Sequence, residues 1–158
     1  MRRKLLTVIR LPDHQSMSET FVERAERLRY TERQVLDKPF TGANVTRITS
    51  AVKENTAFRR VLLTSQQLQV TAMSVPPNES IPEEVHPYSS QLVRVVAGNG
   101  EAYIDQFGLA LRPDYTFLIP AGAKHTIVNT SNSQLLQLEV VYAPPLHDAN
   151  EVQLGPQQ

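Results

Sequence analysis

The 158-residue sequence predicts a mainly β protein, a sandwich or barrel preceded by a segment of different build. Three observations carry that prediction. Between residues 58 and 142, eight short runs rich in Val, Leu, Ile, Thr and Tyr follow one another, the composition that suits a pleated, half-buried surface. Turn-forming connectors separate them. Pro76-Pro77-Asn78, Gly98-Asn99-Gly100, Arg112-Pro113-Asp114, Pro120-Ala121-Gly122 and Ser131-Asn132-Ser133 fall at roughly the 8–12-residue spacing of sandwiches and barrels. The charge also changes sign near residue 55. Residues 1–60 hold 13 of the 16 basic residues and 7 acidic ones, residues 61–158 hold 3 and 9, and the resulting +6 and −6 cancel to a formal net charge of zero.

Along the chain, Leu5-Leu6-Thr7-Val8-Ile9 is a short β-type run stopped by Pro12. Ser18 is a candidate N-cap, and Phe21, Val22, Ala25 and Leu28 recur after it at helical spacing, which reads as one amphipathic helix. Arg24, Arg27 and Arg29 alternate there with Glu19, Glu23 and Glu26, the pattern of a solvated helix face rather than an anion site. Residues 39–50 show no clear period. Strands are expected at 61–64, 68–75, 92–97, 102–105, 109–112, 116–119, 126–128 and 135–142, with Pro144-Pro145 stopping the last. The expected division is a basic N-terminal extension 1–55, a β domain 56–147 and a flexible C-terminal tail 148–158.

Composition excludes several classes. With no cysteine, disulfides, thiolate nucleophiles, cysteine-ligated zinc and iron–sulfur clusters are ruled out. Zero net charge gives no global attraction to nucleic acid or an anionic membrane. No apolar run approaches the roughly 20 residues of a membrane helix, and residues 5–9 are too short for a signal-peptide core of about 7–15. A soluble cytoplasmic protein is expected.

The residues able to carry chemistry lie in the β domain. Glu84 and His86 are two apart, so in an extended stretch they project from one face. Gln91 opens a run in which Val93 and Val95 share its face and Leu92, Arg94 and Val96 take the other. His125 follows the Pro120-Ala121-Gly122 turn and shares its face with Ile127 and Asn129. His14 and His147 have no partner at ligand spacing and read as surface residues. Gly98 and Gly100 flank Asn99 in what reads as a hairpin turn. Gly122 is expected to supply the backbone conformation that aims His125 inward, and Asn129 to bridge strands. Tyr88, Tyr103 and Tyr115 are candidate pocket-lining groups. No Ser-His-acid constellation appears at useful spacing, and no catalytic residue is assigned.

Glu84-Val85-His86-Pro87-Tyr88-Ser89-Ser90-Gln91, followed by Gly98, resembles the first cupin motif: His-x-His, three or four residues, Glu, six residues, Gly. Pro120-x-Gly122-x-x-His125-x-x-x-Asn129 resembles the second, with all four marked positions filled. The resemblance spans residues 58–147. It implies an antiparallel cupin barrel, the double-stranded β-helix or jelly roll, with a divalent ion near its mouth. Position by position, His86 and His125 match two family histidine ligands. Glu84 stands where the family has its first His, and Gln91 where it has Glu. The exchange keeps two imidazoles and one carboxylate, with the neutral Gln91 amide as a weaker fourth donor. The opening Gly of the second motif is Asp114 and that of the first is Pro77 or Asn78, all turn-compatible.

The set Glu84, His86, Gln91 and His125 has mixed N and O donors, which suit Mn, Fe, Ni or Zn and argue against Ca. The resemblance implies a small-molecule ligand or substrate and pairing into a homodimer. It does not choose among dioxygenase, decarboxylase, isomerase and epimerase chemistry. Arg94 and Lys124 fall on faces opposite the ligands, which gives little support to a phosphosugar substrate. The competing class is a non-enzymatic cupin, a metal-free small-molecule binder or an interaction subunit whose histidines are hydrogen-bonded core residues.

Overall fold

The computed structural model describes residues 45–156; the expected strand at 5–9, the helix after Ser18 and His14 lie outside them. Among the described residues one helix, α1 (Ile48–Glu54), precedes ten strands. They are β1 (Arg59–Thr64), β2 (Gln69–Val75), β3 (Ser80–Val85), β4 (Ser90–Ala97), β5 (Gly100–Ile104), β6 (Phe107–Leu111), β7 (Thr116–Ile119), β8 (Lys124–Val128), β9 (Leu136–Ala143) and β10 (Val152–Gln153). Eight coincide with the predicted runs to within a few residues. β3 escaped the sequence pattern because Pro82, Glu83 and Glu84 interrupt it with residues depleted in strands. Its edge position makes them tolerable.

The strands form a six-stranded sheet, order β10-β1-β2-β9-β4-β7, and a four-stranded sheet, order β3-β8-β5-β6, with every pairing antiparallel. This is a jelly roll. No ladder joins the two sheets among the described residues, so the expected barrel takes the form of two facing sheets. Strand register sets what fills the space between them. Met73, Leu138 and Val95 form one cross-strand row, and Val140 and Val93 belong to the next. These residues meet Ile81, Ile127, Ala102 and Leu111 of the other sheet in one buried core. Each fully buried aliphatic side chain of this kind contributes roughly 1.5–3 kcal/mol relative to exposure.

The outer face of the larger sheet is partly covered by α1, whose Val52 packs on Ala72 and Val96. The helix's last carbonyls are not left bare. Gln137 Nε2, from β9, donates to Val52 O at 3.2 Å and Lys53 O at 3.0 Å, satisfying groups that have no intrahelical partner. Arg94, on this same face, binds Glu139 at 2.8 Å and Thr49 of α1 at 3.1 Å. Regular structure therefore begins before residue 56. It also continues past 147, because Val152 and Gln153 pair with Arg60 and Arg59 and cover the edge of β1 in the segment expected as a tail.

Two turn readings are decided by backbone angles. Gly98-Asn99-Gly100 is not a hairpin: β4 lies in the larger sheet and β5 in the smaller, so the chain crosses between sheets there. Gly98 alone takes the left-handed conformation, φ +85°, and a Cβ on it would lie 2.3 Å from Leu135 O. Asn78 and Asp114, which stand where the motifs open on glycine, adopt φ 61° and 69°. Their side chains tolerate the region glycine favours, so the motif geometry survives both replacements, and the first falls on Asn78 rather than Pro77.

Candidate metal centre

Three strands and one loop bring the predicted residues together at one end of the space between the sheets. His125 lies on β8 opposite Glu84 of β3 and opposite Ile104 of β5. Simple alternation would not aim Glu84 inward. Ile81 faces the core opposite Ile127, and the next inward residue by period two is Glu83. The register shifts between Ile81 and Glu84, so three steps on β3 match two on β8. That bulge, at a proline with no N–H to lose, turns Glu84 toward His125. Glu83 points away to Lys124, 3.2 Å off. His86 shares the Glu84 face, and its carbonyl accepts the Gly122 N–H at 2.9 Å. Gly122 has φ +83°, and a Cβ on it would meet nothing within 4 Å; backbone conformation, not crowding, is what glycine supplies there, in line with the sequence expectation.

Glu84 Oε1 lies 3.1 Å from His86 Nε2 and 3.6 Å from His125 Nε2. One ligating atom from each of the three residues lies within 4.8 Å of the others. Atoms bound to one first-row ion at about 2.1 Å are typically about 3 Å apart, so small side-chain adjustments suffice. His125, 3% exposed, holds its Nδ1 3.0 Å from Ala123 O. With Nδ1–H donating to that carbonyl, the lone pair of Nε2 faces the cluster, the orientation metal-bound imidazoles need. Gln91, buried on β4, reaches the same nitrogen, its Nε2 2.7 Å from His125 Nε2. Gln91 becomes a fourth donor only with its amide turned so that the carbonyl oxygen takes that place.

The electrostatics follow from this packing. Burial alone would raise the Glu84 carboxyl, but the imidazoles of His125 and His86 beside it overcome burial and hold it at about 2. His125 is pushed down by burial and more strongly up by Glu84 and the Ala123 carbonyl, with a net rise. Glu84 is thus ionised and ready to coordinate across the neutral range.

Sequence reading missed three neighbours. Tyr142, 1% exposed, forms a wall of the site. Its ring meets His86 at 6.1 Å and His147 at 4.9 Å between centroids, both edge-on. Gln69, 0% exposed, grips the His147 backbone with both ends of its amide, donating to His147 O at 2.7 Å and accepting from His147 N at 2.9 Å. A polar residue at the head of the inward phase Gln69, Thr71, Met73, Val75 was the available signal. His147 is consequently no surface residue: its side chain is 10% exposed, and burial with the nearby Arg59 charge pushes it down to about 4. The candidate pocket tyrosines lie elsewhere. Tyr88 is 84% exposed, Tyr103 is exposed and binds Glu101, and Tyr115 is exposed. Asn129 does bridge strands, donating to Val75 O, Pro76 O and Gln134 O.

Comparisons with known proteins agree with this architecture. The family profile described as Cupin domain matches residues 71–141. An uncharacterised protein of Bacillus subtilis, YrkC, is 36% identical over 116 residues, which is 70% of this chain and 60% of that protein. The chain therefore spans somewhat under two thirds of that relative's length. The crystal structure of BH2720 from Bacillus halodurans superposes with a TM-score of 0.67 and 37% identity, covering 75% of this chain and 91% of that one. An RmlC-like cupin from Shewanella frigidimarina shares the fold at 20% identity, with a TM-score of 0.52 over 57% of this chain and 78% of its own. Among the described residues no helix is long and apolar enough to cross a membrane. The jelly roll, both motifs with their required backbone angles, and the profile match together establish that the chain belongs to the cupin family.

Proposed function

We propose that this cupin holds a divalent ion, Mn, Fe, Ni or Zn, through Glu84, His86 and His125, with Gln91 as the fourth donor, and acts on a small oxygen-bearing molecule. The convergence of one carboxylate and two imidazole nitrogens at the mouth of the jelly roll carries the reading. The donor set suits these metals, since two neutral imidazoles and one ionised carboxylate match the ligand types of first-row sites that retain open positions. Bound there, the ion supplies Lewis acidity to an oxygen of the ligand. The chain's own residues do the rest. Ala123 fixes the His125 tautomer, Tyr142 and the core behind it exclude water from one side, and Gln69 holds the 147 segment against the mouth.

The test is elemental analysis of protein purified without chelator, with the double substitution His86→Ala, His125→Ala as control. Stoichiometric metal that the double variant lacks, and a melting temperature lowered by EDTA, are expected. No stoichiometric metal, with melting unchanged by chelation, overturns the reading in favour of a non-enzymatic binder. Oxygen uptake against small diols and acids then tests for oxygenase chemistry. Pairing into a homodimer in the cytoplasm completes the proposal. Leu92 and Leu118, directly paired on the outer face of the larger sheet and 46% and 59% exposed, offer an apolar surface, and light scattering reads the mass.

A further inference from the structure

We propose that the crevice beside the metal centre is a monocarboxylate-binding subsite in which Arg59 recognises the anion. The proposal rests on the metal reading above, because the charge balance below includes the ion. The crevice encloses about 300 Å³, the small end of ligand pockets. It opens where the β1–β10 edge of one sheet faces the β3 edge of the other, and Phe58, Arg59, Ile81, Pro82, Glu83, Glu84 and Gln153 line it. Phe58 and Ile81 belong to the core, so its inner wall is apolar. Glu84 belongs to both places: its Oε1 meets the two histidines, and its side chain lines the crevice.

Arg59 is an unusual choice for its position. It pairs with Met73, a core residue, so its side chain enters from the inner face of the sheet, and that side chain is only 11% exposed. A guanidinium so placed needs partners. Nε and Nη2 donate to Glu151 Oε1 at 3.1 and 2.8 Å, and Nη2 also donates to Gln153. Among the described residues Nη1 has no hydrogen bond, which leaves one side of the fork unused. Behind the crevice lining, Glu151 Oε1 is also 3.7 Å from His147 Nδ1, and among the described residues His147 Nε2 is buried with no hydrogen-bond partner. Such a nitrogen in an otherwise satisfied interior marks a place for a further polar group.

The charge count selects the ligand. Arg59 and Glu151 cancel, Glu83 is matched by Lys124, and a divalent ion with Glu84 leaves one net positive charge. A monocarboxylate neutralises it and accepts from a guanidinium edge with good geometry. A neutral diol leaves the charge standing, and a phosphate dianion exceeds it.

The experiment is calorimetric titration of the full-length, Zn²⁺-loaded protein with glycolate, with ethylene glycol and inorganic phosphate as comparators. Glycolate is expected to bind at least about tenfold more tightly than either, the worth of one charge-assisted hydrogen bond. Arg59→Gln should lose about tenfold or more in glycolate affinity while keeping its zinc. Glu151→Gln, which releases Arg59 from its internal carboxylate, should gain affinity, an outcome that a merely structural role for Arg59 does not produce. If Arg59→Gln fails to fold, Glu151→Gln carries the test alone. Equal glycolate binding by wild type and Arg59→Gln, weaker binding by Glu151→Gln, or equal binding of ethylene glycol or phosphate overturns the subsite. Retained zinc without glycolate binding counts against the subsite only; failure of the wild type to hold zinc overturns the metal centre and the subsite with it.

Discussion

The two ends of the space between the sheets are built from the same strands and are chemically opposite. Along β8 and the residue that follows it, His125, Ile127 and Asn129 face inward in succession. His125 stands in the polar mouth, Ile127 in the core, and Asn129 at the far end, where its amide closes three backbone carbonyls. The larger sheet repeats the gradient. Gln69, Tyr142 and Gln91 form its row at the mouth, while Val75 and Leu136 form the last row opposite. At the far end one asparagine satisfies the polar backbone and the remainder is aliphatic. At the mouth, Glu84, His86, His125, Gln91 and His147 are packed close, and one buried nitrogen lacks a partner. Stability is concentrated where polar groups are few and satisfied, and binding capacity where they are many and incompletely paired.

This contrast can be broken by substitution at either end. Leu138→Ala, at a fully buried core position, should cost about 2–5 kcal/mol in urea denaturation of chelator-treated protein, while folded protein keeps its metal stoichiometry. Loss of metal from a still-folded variant would show that the two ends are not separable. Asn129→Ala leaves three carbonyls without their donor and should cost about 1–3 kcal/mol, again with metal content unchanged.

At the mouth the sign reverses. Gln91→Glu restores a second carboxylate, so a competition titration against a chelator should show tighter metal binding. The same variant without metal should melt lower, because two carboxylates then share one partly buried site. Tighter metal binding without that penalty would sink the close-packed description of the mouth.

The smallest effect is a pH dependence in chelator-treated protein. Glu84 is depressed to about 2, so its contribution to stability is present above the unfolded carboxyl value of about 4.3 and is lost as pH falls toward 2. His125 is raised, so its contribution is full below about 6.5 and is lost as pH rises through its folded value. The pair therefore stabilises most between roughly pH 4.5 and 6.5, and Glu84→Gln should flatten that window in a melting-temperature profile. An unchanged profile would separate Glu84 from the histidines. Metal binding should run the other way and strengthen with pH, since the imidazoles must be deprotonated to coordinate.

Much of this was legible in the residues. Alternating apolar runs and their turn signals gave eight of the strands. The local spacing of Glu84 and His86, and the resemblance of the Gln91 and His125 stretches to the two cupin motifs, gave the candidate site. The Gly98 turn and the tyrosines were misread for the opposite reason: whether two consecutive strands pair or cross to another sheet, and which face of a strand is covered, depends on partners far away in sequence. His147 and Arg59 carry no local signal at all. One is held by Gln69 from 78 residues upstream, and the other meets Glu151 across 92 residues.

The sequence by itself determined the strand content, the family motifs and the ligand types, the absence of cysteine confining any metal to imidazole, carboxylate and amide donors. Tertiary structure decided which acid serves. Period-two alternation favours Glu83, and only the bulge forced by pairing β3 with β8 brings Glu84 to His125. Side-chain direction on a strand is set by register, and register is fixed between strands rather than within one.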